Sequence, residues 1–279
     1  RAMKFQYLGT AAAEGIPALF CNCENCRRSR AAGGRALRTR SQALIDGTLL
    51  IDFPADTYAH VLRHNVDLLA VTDCLVTHTH SDHLYPADLE MLKPGFAYVQ
   101  QGYRLTFHGS AQVGEALRPM LDGPLTQSGR ASFSEAKPFE PFSAGAYTVT
   151  ALPALHDARS GPLFYQISDG EKTVLYAHDT NYFSDEVWAY FERERPHLDL
   201  VSLDCTNACR PMDYVGHMSL AENVRVRDRL LLLGCAGADT VFITNHFSHN
   251  GLSVFYDDFV PAAAREGFLV SHDGMTVTL

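Results

Sequence analysis

The chain has 279 residues, 46% of them hydrophobic, enough for a sizeable core in one large domain or two small ones. Its formal net charge of −9 argues against a surface that coats nucleic acid, so no nucleic-acid partner is expected. A small anionic substrate stays compatible with that charge, because bound metal cations reverse the local field.

In chain order, strand-like runs cover residues 4–8, 42–45, 49–53, 74–77, 105–108, 147–152, 163–168, 173–176, 200–203, 241–244 and 275–279. Asp46-Gly47 and Asp169-Gly170 are hairpin-turn signals between neighbouring runs. Helical patterns are interspersed at 56–64, 87–92, 112–121, 185–193, 220–233 and 254–266. The segment 125–141 mixes turn formers with apolar residues and reads as a loop crossing the surface. Neither a linker nor a repeat divides the chain, so one domain spanning 1–279 is expected. Hairpins beside crossover helices predict mixed sheets covered by helices, a layered α/β architecture. No apolar stretch is as long as a transmembrane helix, and Arg1-Ala2-Met3-Lys4-Phe5 lacks the apolar segment of a signal peptide. The expected compartment is the cytoplasm, with no membrane partner.

The densest chemistry lies in Thr77-His78-Thr79-His80-Ser81-Asp82-His83, directly after the apolar Cys74-Leu75-Val76. Four metal-ligating side chains fall within six residues there. Polar groups at a strand end need partners, and a metal ion satisfies several imidazoles at once. Further candidates end other strand runs: His156 after 147–152, Asp179 after 173–176 and His246 after 241–244. These seven residues suffice for two divalent ions. The allocation read from the spacing gives one ion His78, His80 and His156, and the other Asp82, His83 and His246. Asp179 bridges them, because a carboxylate has two oxygens and a charge that offsets two dications. Solvent shared by two such ions would ionise near neutral pH and serve as a hydrolytic nucleophile. Histidine–carboxylate sites accept zinc, manganese, iron or nickel, so the spacing does not choose the metal. His178 reads as a supporting or structural neighbour of Asp179, while His60, His64, His197 and His272 read as core or surface residues and His108 stays open.

The order His78-Thr-His80-Ser-Asp82-His83, then His156, Asp179 and His246, resembles the metallo-β-lactamase superfamily over nearly the whole chain. That resemblance implies a four-layer αββα sandwich with the metal centre at one edge. It also implies that Asp52, after the second strand of the first hairpin, supports the metal ligands, against a plain turn or cap role.

Three of the seven cysteines crowd into Cys21-Asn22-Cys23-Glu24-Asn25-Cys26. Reduced thiols and metal are favoured over disulfides there. A closed tetrahedral zinc needs a fourth ligand, and His249, three residues beyond His246, is the candidate. Such a structural zinc would clamp the N-terminal loop around residues 20–27 to the wall of the site. Cys74, Cys205, Cys209 and Cys235 read as small apolar residues. Together with Leu8-Gly9-Thr10 and Gly15-Ile16-Pro17, the cysteine motif resembles the phosphoribosyl cyclic phosphodiesterases of the carbon–phosphorus lyase pathway. It also resembles the pyrroloquinoline quinone biosynthesis B proteins, which tend to lack an intact dinuclear set.

The first resemblance implies a phosphodiesterase that opens a small, cyclic ribose-type phosphate, with a small phosphorylated substrate as partner and a homodimer as the assembly. It makes His217 in Gly216-His217-Met218-Ser219 a phosphate contact or the general acid for the leaving alkoxide, against a plain helix-start residue with Ser219 as cap. Catalytic roles therefore centre on Asp82 and His217. The competing functions are acyl hydrolysis of a lactone, thioester or β-lactam on the same centre, and a non-hydrolytic cofactor-biosynthesis protein.

Overall fold

A computed structural model of the chain describes residues 2–211 and 216–279. Tyr214 and Val215, which lead into Gly216-His217, lie outside the described residues. Among the described residues, fourteen strands form two seven-stranded sheets. The first has the spatial order β14 (Thr276–Thr278), β1 (Lys4–Gly9), β2 (Gln42–Ile45), β3 (Leu49–Ile51), β4 (Asp73–Leu75), β5 (Leu105–Gly109), β6 (Ala131–Glu135). The second runs β13 (Leu269–Val270), β12 (Val241–Asn245), β11 (Leu200–Asp204), β10 (Thr173–Ala177), β9 (Leu163–Ser168), β8 (Tyr147–Pro153), β7 (Pro141–Ala144).

Each sheet joins an antiparallel part, built by hairpins, to a parallel part, built by crossovers. The β2–β3 hairpin turns through Asp46, Gly47 and Thr48; Asp46 and Gly47 take positive φ (49° and 74°), and the Thr48 N–H closes the turn on the Ile45 carbonyl at 3.0 Å. The central parallel strands β10 and β11 are almost wholly buried, and β10 reads as a near-continuous apolar run, Thr-Val-Leu-Tyr-Ala.

The inner faces pack on one another. Phe5, Tyr7, Ile45, Ile51 and Leu75 of the first sheet share a buried core with Val149, Tyr165, Ile167, Val174 and Tyr176 of the second. Two hydroxyls tie the sheets across this core: Tyr7 Oη donates to Ser202 Oγ at 2.7 Å and Tyr165 Oη to the Val76 carbonyl at 2.6 Å. Helices cover the outer faces. On the first, α3 (Ala111–Leu121) buries Val113, Leu117 and Leu121, one stripe at four-residue spacing. On the second, α5 (Asp185–Glu194), α6 (Leu220–Leu232) and α7 (Tyr256–Arg265) bury Trp188, Phe191, Val226, Leu230 and Phe259. The αββα sandwich expected from the sequence is therefore the fold.

The expected surface loop at 125–141 is overturned. It contains α4 (Pro124–Ser128), the edge strand β6 and the first residue of β7. Pro124 at the helix start and Gly129 after its end are standard boundary residues, and β6 is short and half-exposed, so its alternation is faint. Residues 86–92 form a 3₁₀ helix rather than an α-helix, and the cysteine motif runs into α1 (Glu24–Ala32).

Candidate metal centre

The candidate residues converge at the carboxyl ends of strands from both sheets. The 77–83 turn follows β4, His156 follows β8, Asp179 follows β10, Asp204 ends β11 and His246 follows β12. Asp52, after β3, joins them from below. Asp52, Asp179 and His246 all have left-handed backbone, with φ of 67°, 50° and 65°. Aspartate and histidine enter that region more readily than most residues, and such strained positions gather at functional sites.

Three groups of donor atoms result, each with all atoms within 4.8 Å of one another, and a fourth joins Asp179, Asp204, His217 and His246 on the same criterion. In the first, His80 Nδ1 lies 3.0 Å from His78 Nε2 and 3.2 Å from His156 Nε2. In the second, His83 Nε2 lies 3.3 Å from His246 Nε2 and 3.1 Å from Asp82 Oδ2. Asp179 reaches both: Oδ2 is 2.6 Å from His83 Nε2 and 3.2 Å from His78 Nε2, and Oδ1 is 3.3 Å from His246 Nε2. The third group holds Cys21, Cys23, Cys26 and His249. All eleven sequence-derived ligand candidates lie within these three groups.

The supporting hydrogen bonds test whether cations fit. His156 Nδ1 faces the Gly216 carbonyl at 3.0 Å, so the proton sits there and Nε2 turns a lone pair toward His80. His83 Nδ1 donates to Asp52 Oδ2 at 2.6 Å, and Asp52 in turn accepts from the Thr77 N–H at 2.7 Å. Thr77 Oγ1 lies 2.9 Å from His78 Nδ1, and Thr206 Oγ1 lies 2.8 Å from His246 Nδ1. Four imidazoles are therefore held by Nδ1 with Nε2 turned inward, the arrangement metal-ligating histidines adopt. Asp179 Oδ1 is buried and makes no hydrogen bond of its own. Burial disfavours its ionised form, yet the surrounding His246, His83 and His78 hold it well below the usual carboxylate range. Nitrogen lone pairs and buried carboxylate oxygens facing one another fit divalent ions.

The cysteine group fits zinc by the same chemistry. Cys23 Sγ lies 3.6 Å from His249 Nδ1, and backbone N–H groups of Cys23 and Ala18 donate to Cys21 and Cys26 sulfurs at 3.4 and 3.3 Å. Partial burial raises the Cys23 thiol, but its bonds to His249 and the neighbouring cysteines outweigh that and pull it down to about 6, toward a ligating thiolate.

His217 stands beside the centre just ahead of α6, whose capping box joins Ser219 and Glu222. Its Nδ1 lies 2.9 Å from Asp204 Oδ2, 3.2 Å from Asp179 Oδ1 and 3.1 Å from Thr206 Oγ1. Burial pushes its pKa down, but the Asp204 charge and hydrogen bond, with Asp179, carry it up to about 9. Asp204 and Thr206 are additions that the structure makes to the residues read from the sequence. Asp204 shares the strand-end position of Asp179 and His246, the one signal that marks it.

The remaining histidines stand apart. His178 is buried against Ser202 Oγ at 2.7 Å, and His108 pairs with Asp73 at 2.8 Å while stacking on Phe142. His60 is in the core, and Cys74, Cys205 and Cys235 are buried. Among the described residues no helix is long and apolar enough to cross a membrane.

The family model for the beta-lactamase superfamily domain matches residues 47–232, more than half of the chain. No curated protein matches it. A diphosphatase of the PhnP family superposes with a TM-score of 0.76 at 17% identity, covering 100% of this chain and 98% of that one. Zn²⁺-bound PqqB from Methylobacterium extorquens gives 0.74 at 19% identity, over 99% and 100%. The short form of human tRNase Z gives 0.64 at 15%, over 98% of each. These likenesses show a shared fold.

Proposed function

The chain belongs to the beta-lactamase superfamily, and from that membership and the geometry of its centre we propose that it is a phosphodiesterase acting on a small, cyclic ribose-type or similar diester. Fold and His/Asp clusters support a metal-dependent hydrolase. Within that class, His217 carries the phosphodiester reading. It lines the same cavity of about 440 Å³ as His80, Asp82, His156, Asp179 and His246. An alkoxide is a poor leaving group, and an imidazolium held beside the reacting centre is a suitable proton donor. Asp204 and Thr206 hold that ring by Nδ1 and fix its approach.

His78, His80 and His156 would hold one ion, Asp82, His83 and His246 the other, with Asp179 between them. Bound divalent cations supply charge neutralisation at the phosphoryl oxygens and lower the pKa of solvent water. Asp52, Thr77 and Thr206 keep the ligating rings aligned through every turnover. Cys21, Cys23, Cys26 and His249 would hold a structural zinc that ties the N-terminal loop to the wall of the cavity.

Turnover of bis-p-nitrophenyl phosphate and of a thioester by zinc- and manganese-loaded protein tests this reading. Diester hydrolysis well above thioester hydrolysis supports it. Thioester turnover alone would point to acyl chemistry, and inertness toward both at full metal content to a non-hydrolytic protein; either result overturns it.

A further inference from the structure

The part of the cavity wall that the metal ligands do not form comes from three loops. Besides Thr206 and His217, it comprises Ala12, Ala13, Glu14, Asn207, Ser248 and Asn250. Among the described residues lining the cavity there is no Lys or Arg. Arg210, close by in sequence to Asn207, is outside the lining and donates Nε to the Asn250 backbone carbonyl at 3.2 Å. The one charged side chain on this wall away from the metal clusters is the Glu14 carboxylate.

Its loop is stitched into the fold. The Ala12 N–H donates to the Phe247 carbonyl at 2.8 Å, and the Phe247 N–H to the Thr10 carbonyl at 3.0 Å. Ile16 and Arg38 exchange backbone bonds at 3.0 and 2.8 Å, and Gly15 reverses the chain at φ 74°. Glu14 Oε1 accepts from Ser248 Oγ at 3.3 Å and lies 3.9 Å from His249 Nε2, while His249 Nδ1 faces Cys23. The loop backbone is therefore fixed, and the carboxylate lies between the cysteine cluster and the cavity.

We infer that Glu14 is a specificity-determining residue that admits phosphodiesters with an uncharged, hydroxyl-bearing remainder and rejects those carrying a second phosphate; this rests on the phosphodiesterase reading. A carboxylate only accepts hydrogen bonds, whereas the Asn207 and Asn250 amides and the Ser248 hydroxyl both donate and accept. Together they match sugar or glycerol hydroxyls. A second phosphate on this wall finds no lining cation and meets a like charge, the repulsion by which sites exclude wrong partners.

The test compares kcat/KM for ribose 1,2-cyclic phosphate and for the same compound bearing a 5-phosphate, using metal-loaded full-length protein. The wild type is expected to favour the unphosphorylated sugar by at least about tenfold. Glu14→Gln should shrink that ratio and Glu14→Lys should shrink it further or invert it. Equal use of the two sugars, a ratio unmoved by Glu14→Lys, or turnover of bis-p-nitrophenyl phosphate with neither sugar cleaved overturns the inference. Inertness toward all three compounds sinks the phosphodiesterase reading itself.

Discussion

His217 is held by a carboxylate and a hydroxyl rather than by a backbone carbonyl, and this sets it apart from His156, whose Nδ1 faces Gly216. A carboxylate partner favours the charged imidazolium more strongly than a carbonyl does, while burial and the neighbouring His217 and His80 rings hold His156 below its ordinary pKa, so the first ring suits proton donation and the second keeps a lone pair free. Replacing His217 with Ala should lower kcat for an alkyl phosphodiester by about 10²–10³, the usual worth of a general acid. The loss for bis-p-nitrophenyl phosphate should be far smaller, because nitrophenolate leaves unaided; equal losses on the two esters would assign the ring to phosphate binding. His60 illustrates a purely structural histidine. It is buried between Gln42 Oε1 and Thr39 Oγ1, and desolvation, only partly countered by Asp56, holds it down from 6.5 to about 4. The unfolded chain therefore binds more protons between those values, so this contribution is fully present above pH 6.5 and lost as pH falls through 4. Between pH 7 and 4 the wild type should lose about 3 kcal/mol more than His60→Gln in denaturant titrations, and parallel curves would refute the assignment. Of these residues the metal-ligand types were legible, since six-residue density and strand-end repetition are local signals. Asp204 was not, because its role depends on a ring thirteen positions away.

At the scale of elements, the stretch after β12 does two jobs. His246 enters the histidine–aspartate cluster and His249 the cysteine cluster, while Phe247 between them pairs with the loop after β1. The Cys21–Cys26 motif lies against this stretch through Asn25, whose Nδ2 donates to the His249 carbonyl at 3.0 Å. Cys23→Ser should therefore remove one equivalent of zinc and lower Tm by about 5 °C or more, since structural zinc contributes directly to folding. Turnover per remaining active-site metal should change less, and an unchanged zinc content by metal analysis would refute the clamp. Strands with several β-branched residues, such as β8 and β12, were legible from pattern alone. β6 and α4 were not, because a five-residue edge strand and a five-residue helix present too few residues for either period to show.

At the scale of the molecule, the sandwich gathers the ends of strands from two sheets at one rim, the first sheet bringing four of the histidine–aspartate candidates and the second three. This convergence is what the sequence could not display by itself, since alternation marks which face of a strand is buried but not which sheet lies opposite. The αββα arrangement was legible only through the resemblance of the ligand order, not through periodicity. The opposite rim carries the turns at Asp46-Gly47, Gly145-Ala146 and Asp169-Gly170, and Tyr147 Oη donates to Asp46 Oδ2 there at 2.7 Å. Gly170 has open space around it, and its turn is exposed. A short Gly-Ser insertion after Gly170 should leave metal content and turnover unchanged, as exposed turn tips tolerate; loss of bound metal would show that the two rims are coupled. The protein thus has a reactive pole and a quiet one, and the quiet pole is where a surface tether, a fluorophore or new chain termini can be attached without disturbing the chemistry.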